Sequence, residues 1–114
     1  MVCDDRGVEH VTDAVLRALS DRDIDTVVRC YAENAQIVSD DDEVLAAGRE
    51  EIRRRYDAMF ARFPGITVRK VDGFSIGSYV VQGEEVQGRE PEPERHVAVS
   101  RIDAGLIVHE RLLR

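Results

Sequence analysis

The segment HVAVSRIDAGLIVHERL, residues 96–112, reads as two short β-strands around a turn at Asp103-Ala104-Gly105. In the second strand, two-residue alternation places Leu106, Val108 and Leu112 on one face, and Glu110 falls among them. A carboxyl on an apolar face is disfavoured as the ion, so its pKa rises and it can donate or accept a proton near neutral pH. A three-residue hairpin loop would pair Ile102 with Leu106, Ser100 with Val108, Ala98 with Glu110 and His96 with Leu112. His96 and Ser100 then share the face of Glu110, with His96 diagonal to it at about 7 Å, near enough to share or relay its proton. A structural reading stands beside this one: Glu110 reaches the rim of the fold to pair with an arginine, and His96 is an ordinary strand histidine.

The elements that must position these groups follow from periodicity. Val8, Val11, Val15, Leu16 and Leu19 recur at helical spacing, and the SDRD stretch at 20–23 supplies capping oxygens. Ile24, Val27, Val28 and Tyr31 trace a second, short amphipathic stripe that ends near 32–34. A brief strand over 35–38, an acidic turn over 39–43 and a further apolar patch before Gly48 suggest a hairpin-like excursion. GREEIRRRYDAMFARFPG is the strongest helix, with Ile52, Tyr56, Met59, Phe60 and Phe63 on one face and Pro64-Gly65 as its stop. Glu50 with Arg54 and Glu51 with Arg55 fall at i,i+4 on the outer face, each pair contributing about 0.2–0.5 kcal/mol, so the arginine run reads as a solvated helix face. After Gly65 the pattern changes to strands at ITVRKV, SYVVQGEEVQG, RHVAVSRI and LIVHERLL, with the proline-containing REPEPE as a loop. Helices followed by an antiparallel sheet make an α+β domain whose helical stripes pack on one face of a curved sheet.

Length and composition limit the function classes. At 114 residues the chain is expected to be a single domain spanning 1–114, with 1–7 as a flexible N-terminal tail. Its apolar share of 43% and charged share of 34% are those of a globular protein with one core. The net charge of −7 argues against nucleic acid, whose affinity comes from Lys and Arg displacing counterions. No run of apolar residues is long enough to span a membrane, and no signal-peptide pattern opens the chain, so a cytoplasmic location is expected. Cys3 and Cys30 form no CxxC motif and read as free thiols, and the three histidines show no metal-ligand spacing, so no metal site is expected. Without a Walker or G-x-G-x-x-G motif no cofactor is expected either.

The stretches ALSDRDIDTVVRCYAENAQIV, GREEIRRRYDAMF and HVAVSRIDAGLIVHERLL together resemble the nuclear transport factor 2-like superfamily, in particular its SnoaL-like and steroid delta-isomerase-like branch. The resemblance covers about half the chain and rests on fold-level patterns. It implies a cone-shaped α+β barrel in which helices close a pocket against the concave sheet face, commonly as a homodimer. Ketosteroid isomerases of this branch use an aspartate base with an oxyanion hole made of a tyrosine and a protonated aspartate. By alignment those positions fall here on Ser39, Val15 and Ala98, so all three groups are replaced. Asp40, one residue beyond the lost base, could substitute only if the strand slips or bulges. Tyr31 and Tyr56 align with pocket tyrosines of some of these isomerases and would donate hydroxyl hydrogen bonds to a carbonyl or enolate oxygen.

The same alignment puts Glu110 on the pocket side, across from the position of the family's buried acid. Two functions follow as expectations. One is an isomerase or cyclase moving a proton next to a carbonyl of a small apolar substrate, with Glu110 and His96 as the catalytic pair and Tyr31, Tyr56, Ser39, Ser100 and Asp40 around the ligand. The other is a non-catalytic ligand-binding or dimerisation module. A homodimer is expected through the convex sheet face, where alternation leaves Val97, Val99, Ile107 and Leu113.

Overall fold

The structure, a computed structural model, describes residues 3–114, with side chains from Val11 onward. The first two residues of the tail expected over 1–7, and the side chains of Cys3, Val8 and His10, lie outside the described residues. The described residues form three helices and six strands: α1 (Cys3–Ser20), α2 (Ile24–Arg29), β1 (Tyr31–Val38), β2 (Val44–Ala47), α3 (Gly48–Arg62), β3 (Thr67–Ile76), β4 (Tyr79–Gln87), β5 (Glu94–Asp103) and β6 (Leu106–Leu113). The strands make one sheet in the order β2-β1-β6-β5-β4-β3. It is curved and open, with the three helices packed upon it.

Capping residues set the helix boundaries. Arg22 takes a left-handed φ of 58°, and its N–H returns to the Leu19 carbonyl, which ends α1. Asp23 then caps α2, accepting from Thr26 N at 3.2 Å and Thr26 Oγ1 at 2.6 Å. The Arg22 guanidinium donates to the carbonyls of Pro64 and Ile66, both at 2.8 Å, and lies over the Phe60 ring, tying this corner to the exit of α3. The second apolar stripe stops earlier than its periodicity suggests. Tyr31 opens β1 instead of closing α2, because the Cys30 carbonyl accepts the Ile107 N–H at 2.9 Å and draws the chain alongside β6.

Two corrections concern the sheet. It is mixed, since β1 runs parallel to β6 while the other neighbouring pairs are antiparallel. The excursion through β2, α3 and the β3–β6 meander brings the last strand back beside the first in the same direction. The β5–β6 register also differs from the expected one. The hairpin closes in a two-residue turn with Ala104 at φ 51° and Gly105 at φ 78°, so Asp103 faces Leu106 and Ile102 faces Ile107. Arg101 then faces His109, which leaves Val108 as the extra residue of a β-bulge, and Ser100 faces Glu110 while Ala98 faces Leu112. Ile107 therefore belongs to the core at 1% exposure, not to the convex surface, and Leu106 and Val108 are only half-buried. The bulge reverses the alternation once, so Ile107 and Glu110, three residues apart, both point inward.

The core lies between the helices and the concave face, where Val15, Leu19, Val27 and Ile52 meet Ile37, Val80, Ile102 and Ile107. Each such aliphatic side chain contributes about 1.5–3 kcal/mol by leaving water. α1 packs on β3 and β4 and α3 on β1 and β2, and between them the concave face holds a cavity of about 520 Å³.

Candidate active site

Glu110 is buried on the concave face. Its neighbours along the same row of the sheet are Ile37 on β1 and Ser100 on β5, with Val80 beyond on β4. Tyr31, fully buried, donates its hydroxyl proton to Glu110 Oε1 at 2.6 Å, and the Tyr56 hydroxyl lies 3.2 Å from that of Tyr31. Since the Tyr31 proton is committed to Glu110, the chain runs from Tyr56 to Tyr31 to Oε1. Glu110 Oε2 has no protein partner among the described residues, and Glu110 lines the cavity. Burial raises the Glu110 pKa to about 7, with the Glu84 charge adding to it and the Tyr31 hydrogen bond and the His96 charge opposing it. The same burial, reinforced by Glu110, holds both tyrosines well above the ordinary phenol range, so they act as donors at neutral pH. The β6 end carrying Glu110 is fixed by Arg111, which pairs with Asp42 at 2.6 Å and donates to the Ser39 carbonyl.

His96 does not touch Glu110. In the observed register it sits four residues along β5 from Ser100, on the order of 13 Å along the strand axis, so the expected 7 Å diagonal does not exist. Its partner is Glu84, directly across on β4: His96 Nε2 lies 2.9 Å from Glu84 Oε1, and Gln82 Nε2 donates to Glu84 Oε2 at 2.6 Å. The ring is 17% exposed and lines the cavity, with Nδ1 unpartnered among the described residues. Sequence reasoning missed Glu84. The signal was there: Val80, Gln82, Glu84 and Val86 alternate on the buried face, and all four are at most 7% exposed.

The remaining expected site residues divide. Tyr56, Ser39 and Asp40 line the cavity, whereas Tyr31 and Ser100 are buried behind its wall. Asp40 is exposed in the β1–β2 turn, and Ser39 Oγ bonds the Asp41 carboxylate and accepts the Glu43 N–H. Val15, at the aligned position of the family's tyrosine, is part of the apolar lining with Leu19, Ile37, Met59 and Leu112. Among the described residues no three His, Cys, Asp or Glu side chains converge as metal ligands would. No helix there is long and apolar enough to cross a membrane.

A curved sheet roofed by three helices, with an acid-bearing cavity between the layers, defines a protein of the nuclear transport factor 2-like, cystatin-type fold. The chain belongs to the SnoaL-like domain family, which matches residues 12–110. An uncharacterized cystatin-fold protein from Novosphingobium aromaticivorans is 26% identical, with 95% of this chain and 97% of that one covered and a TM-score of 0.84. An LEH-like epoxide hydrolase from M. tuberculosis shares the fold at 18% identity and a TM-score of 0.78, covering 96% of this chain and 83% of its own. So does a hypothetical protein with a ketosteroid isomerase-like fold from Catenulispora acidiphila, in complex with trimethylamine, at 15% identity and 0.77, covering 91% and 84%. Among curated proteins, none matches this sequence.

Proposed function

We propose that this chain is a small-molecule enzyme that moves a proton next to a carbonyl of a largely apolar substrate, with Glu110 as the acid–base group. The observation that carries this reading is a buried carboxyl that lines a cavity of about 520 Å³, held at one oxygen by Tyr31 and with no cation in contact, burial pushing its pKa up to about 7. A group titrating at the working pH is both available as base and effective as acid. As carboxylate, Glu110 Oε2 takes a proton from the carbon beside the carbonyl, and that C–H electron pair forms the enolate. The Tyr56 hydroxyl, which lines the cavity next to the Tyr31–Glu110 pair, turns its proton from the Tyr31 oxygen to the enolate oxygen. Return of the proton to another carbon completes an isomerisation. Alternatively, attack of the enolate carbon on a second carbonyl closes a ring, and the new alkoxide takes up the proton that Glu110 gained, which returns the carboxylate.

An epoxide hydrolase and a trimethylamine-bound protein of isomerase-like fold share this architecture, and the step itself is argued from Glu110. A second reading, a binding pocket without turnover, is favoured by the replacement of the isomerase base and donors by Ser39, Val15 and Ala98. We further propose that the chain pairs with a second copy through the convex face. There Val81 and Val99 continue an apolar stripe between the exposed Phe74 and Val97, and Ile76 and Tyr79 extend it.

The test is deuterium exchange at the carbons flanking the carbonyl of 2-tetralone, followed by proton NMR in D₂O. Wild type should accelerate exchange over buffer, more strongly as pH rises through about 7, while Glu110→Gln should not. Binding of the ketone without accelerated exchange would support the non-catalytic reading instead, and equal acceleration by Glu110→Gln would remove Glu110 from the chemistry.

A further inference from the structure

Among the charged side chains that line the cavity, most are engaged by the fold itself. Arg89 pairs with Glu94 at 2.8 Å, Glu84 holds His96, and Asp41 accepts from Ser39. Arg55 is different. The i,i+4 partner that its helix position offers, Glu51, is occupied elsewhere: Glu51 Oε1 accepts the Ala47 N–H at 2.8 Å and closes the first turn of α3. The neighbouring pair does form, with Arg54 bonded to Glu50 at 2.7 Å, so the contrast lies within one helix. Arg55 has no ion pair among the described residues, is half-buried, and lines the cavity beside Tyr56 and one turn before Met59. Burial is the main force keeping Glu110 and Tyr56 protonated, and the Arg55 charge acts against it at both, which sets the guanidinium within electrostatic reach of the proposed catalytic groups.

We infer that Arg55 anchors a carboxylate of the ligand, so that the substrate class is a keto acid with an apolar body. The inference rests on the reading that this cavity is the substrate site. A guanidinium is planar, stays charged at any physiological pH and presents a fork that meets a carboxylate through two hydrogen bonds. Leaving it half-desolvated and unpaired is unfavourable, and a ligand carboxylate supplies the missing partner. The surroundings sharpen the requirement. Asp40, Asp41 and Glu43 line the same cavity from the β1–β2 turn, and Arg114, the other cation there without an ion pair among the described residues, is exposed. Carboxylates outnumber arginines in the lining, so an anion is held there only where a guanidinium meets it directly, and Arg55 is the half-buried one left for it. Val15, Leu19, Ile37 and Leu112 offer the rest of the ligand an apolar wall, and the carbonyl end meets Glu110 and Tyr56.

The test is calorimetric binding of 2-naphthoate and of its neutral amide, 2-naphthamide, at pH 6, where Glu110 is mostly protonated. Wild type should bind the acid at least about tenfold more tightly than the amide, the range of a charge-assisted hydrogen bond. Arg55→Met should reverse the preference while leaving amide affinity within about twofold, which also shows that the variant is folded. Glu110→Gln should keep the preference. Equal binding of the two probes by wild type, a preference kept in Arg55→Met, or no binding of either probe would each overturn the inference. No turnover enters this measurement: a chain that passes it yet fails the deuterium exchange has the anchor without the chemistry, and the opposite result leaves the chemistry and removes the anchor.

Discussion

At the residue scale, everything turns on the state of one carboxyl. Glu110 has no cationic partner in contact, and the short bond from Tyr31 stabilises the ion without offsetting burial and the Glu84 charge. Its folded pKa of about 7 exceeds the unfolded value of about 4.3, so the native state binds the extra proton between them. The stability this contributes is complete below about pH 4 and is lost as pH rises through 7. Glu110→Gln keeps an acceptor for Tyr31 and cannot ionise. It should melt higher than wild type at pH 8, by on the order of 3–4 kcal/mol in unfolding free energy, and show little difference at pH 4. Thermal melts at the two pH values check this. A destabilised variant at pH 8 would mean that the carboxylate is paired and favourable there.

At the element scale, the order of helices and strands was legible in the sequence, and so was the inward glutamate, but its companions were not. Two-residue alternation assigned Glu110 to the correct face through the wrong register, because a bulge at Val108 and a two-residue turn at Ala104-Gly105 shift the pairing in compensating ways. Alternation has no means of marking a bulge, and Ala104 does not advertise a left-handed φ as asparagine or glycine would. The error still mattered for His96, which moved from a neighbour of Glu110 to the partner of Glu84. Glu84 and Glu85 are adjacent in sequence and point to opposite faces, the first to His96 and the second to Arg69 and Arg95, and only strand register separates them. Tyr31 was read as helical because its spacing continues the α2 stripe, whereas the tertiary bond from Ile107 N to Cys30 makes it the first residue of β1. Arg55 illustrates the same limit in a helix. Spacing paired it with Glu51, and the backbone N–H of Ala47 was the stronger claimant for that carboxylate.

At the scale of the whole molecule, the helices cover the concave face and leave the convex one bare. Phe74 is 55% exposed, Ile76 69% and Tyr79 48%, and Val81 and Val99 carry the strip from Phe74 across to β5, where Val97 is also exposed. An apolar strip of this kind is expected to meet the same strip of a second copy about a two-fold axis and close a homodimer. Sedimentation equilibrium at micromolar concentration should report twice the 12.9 kDa chain mass, and Phe74→Asp should return it to the monomer. A monomer in wild type would remove the second copy from the account. The cavity opens on the other side of the sheet, so its chemistry does not depend on that outcome. Whether Glu110 is a buried acid poised at neutral pH is read from the carboxyl carbon NMR shift of Glu110, assigned by its disappearance in Glu110→Gln. A titration midpoint near 7 is expected, moving downward in Glu84→Gln as the neighbouring charge is removed. A midpoint near the ordinary glutamate value of about 4.3 would contradict it.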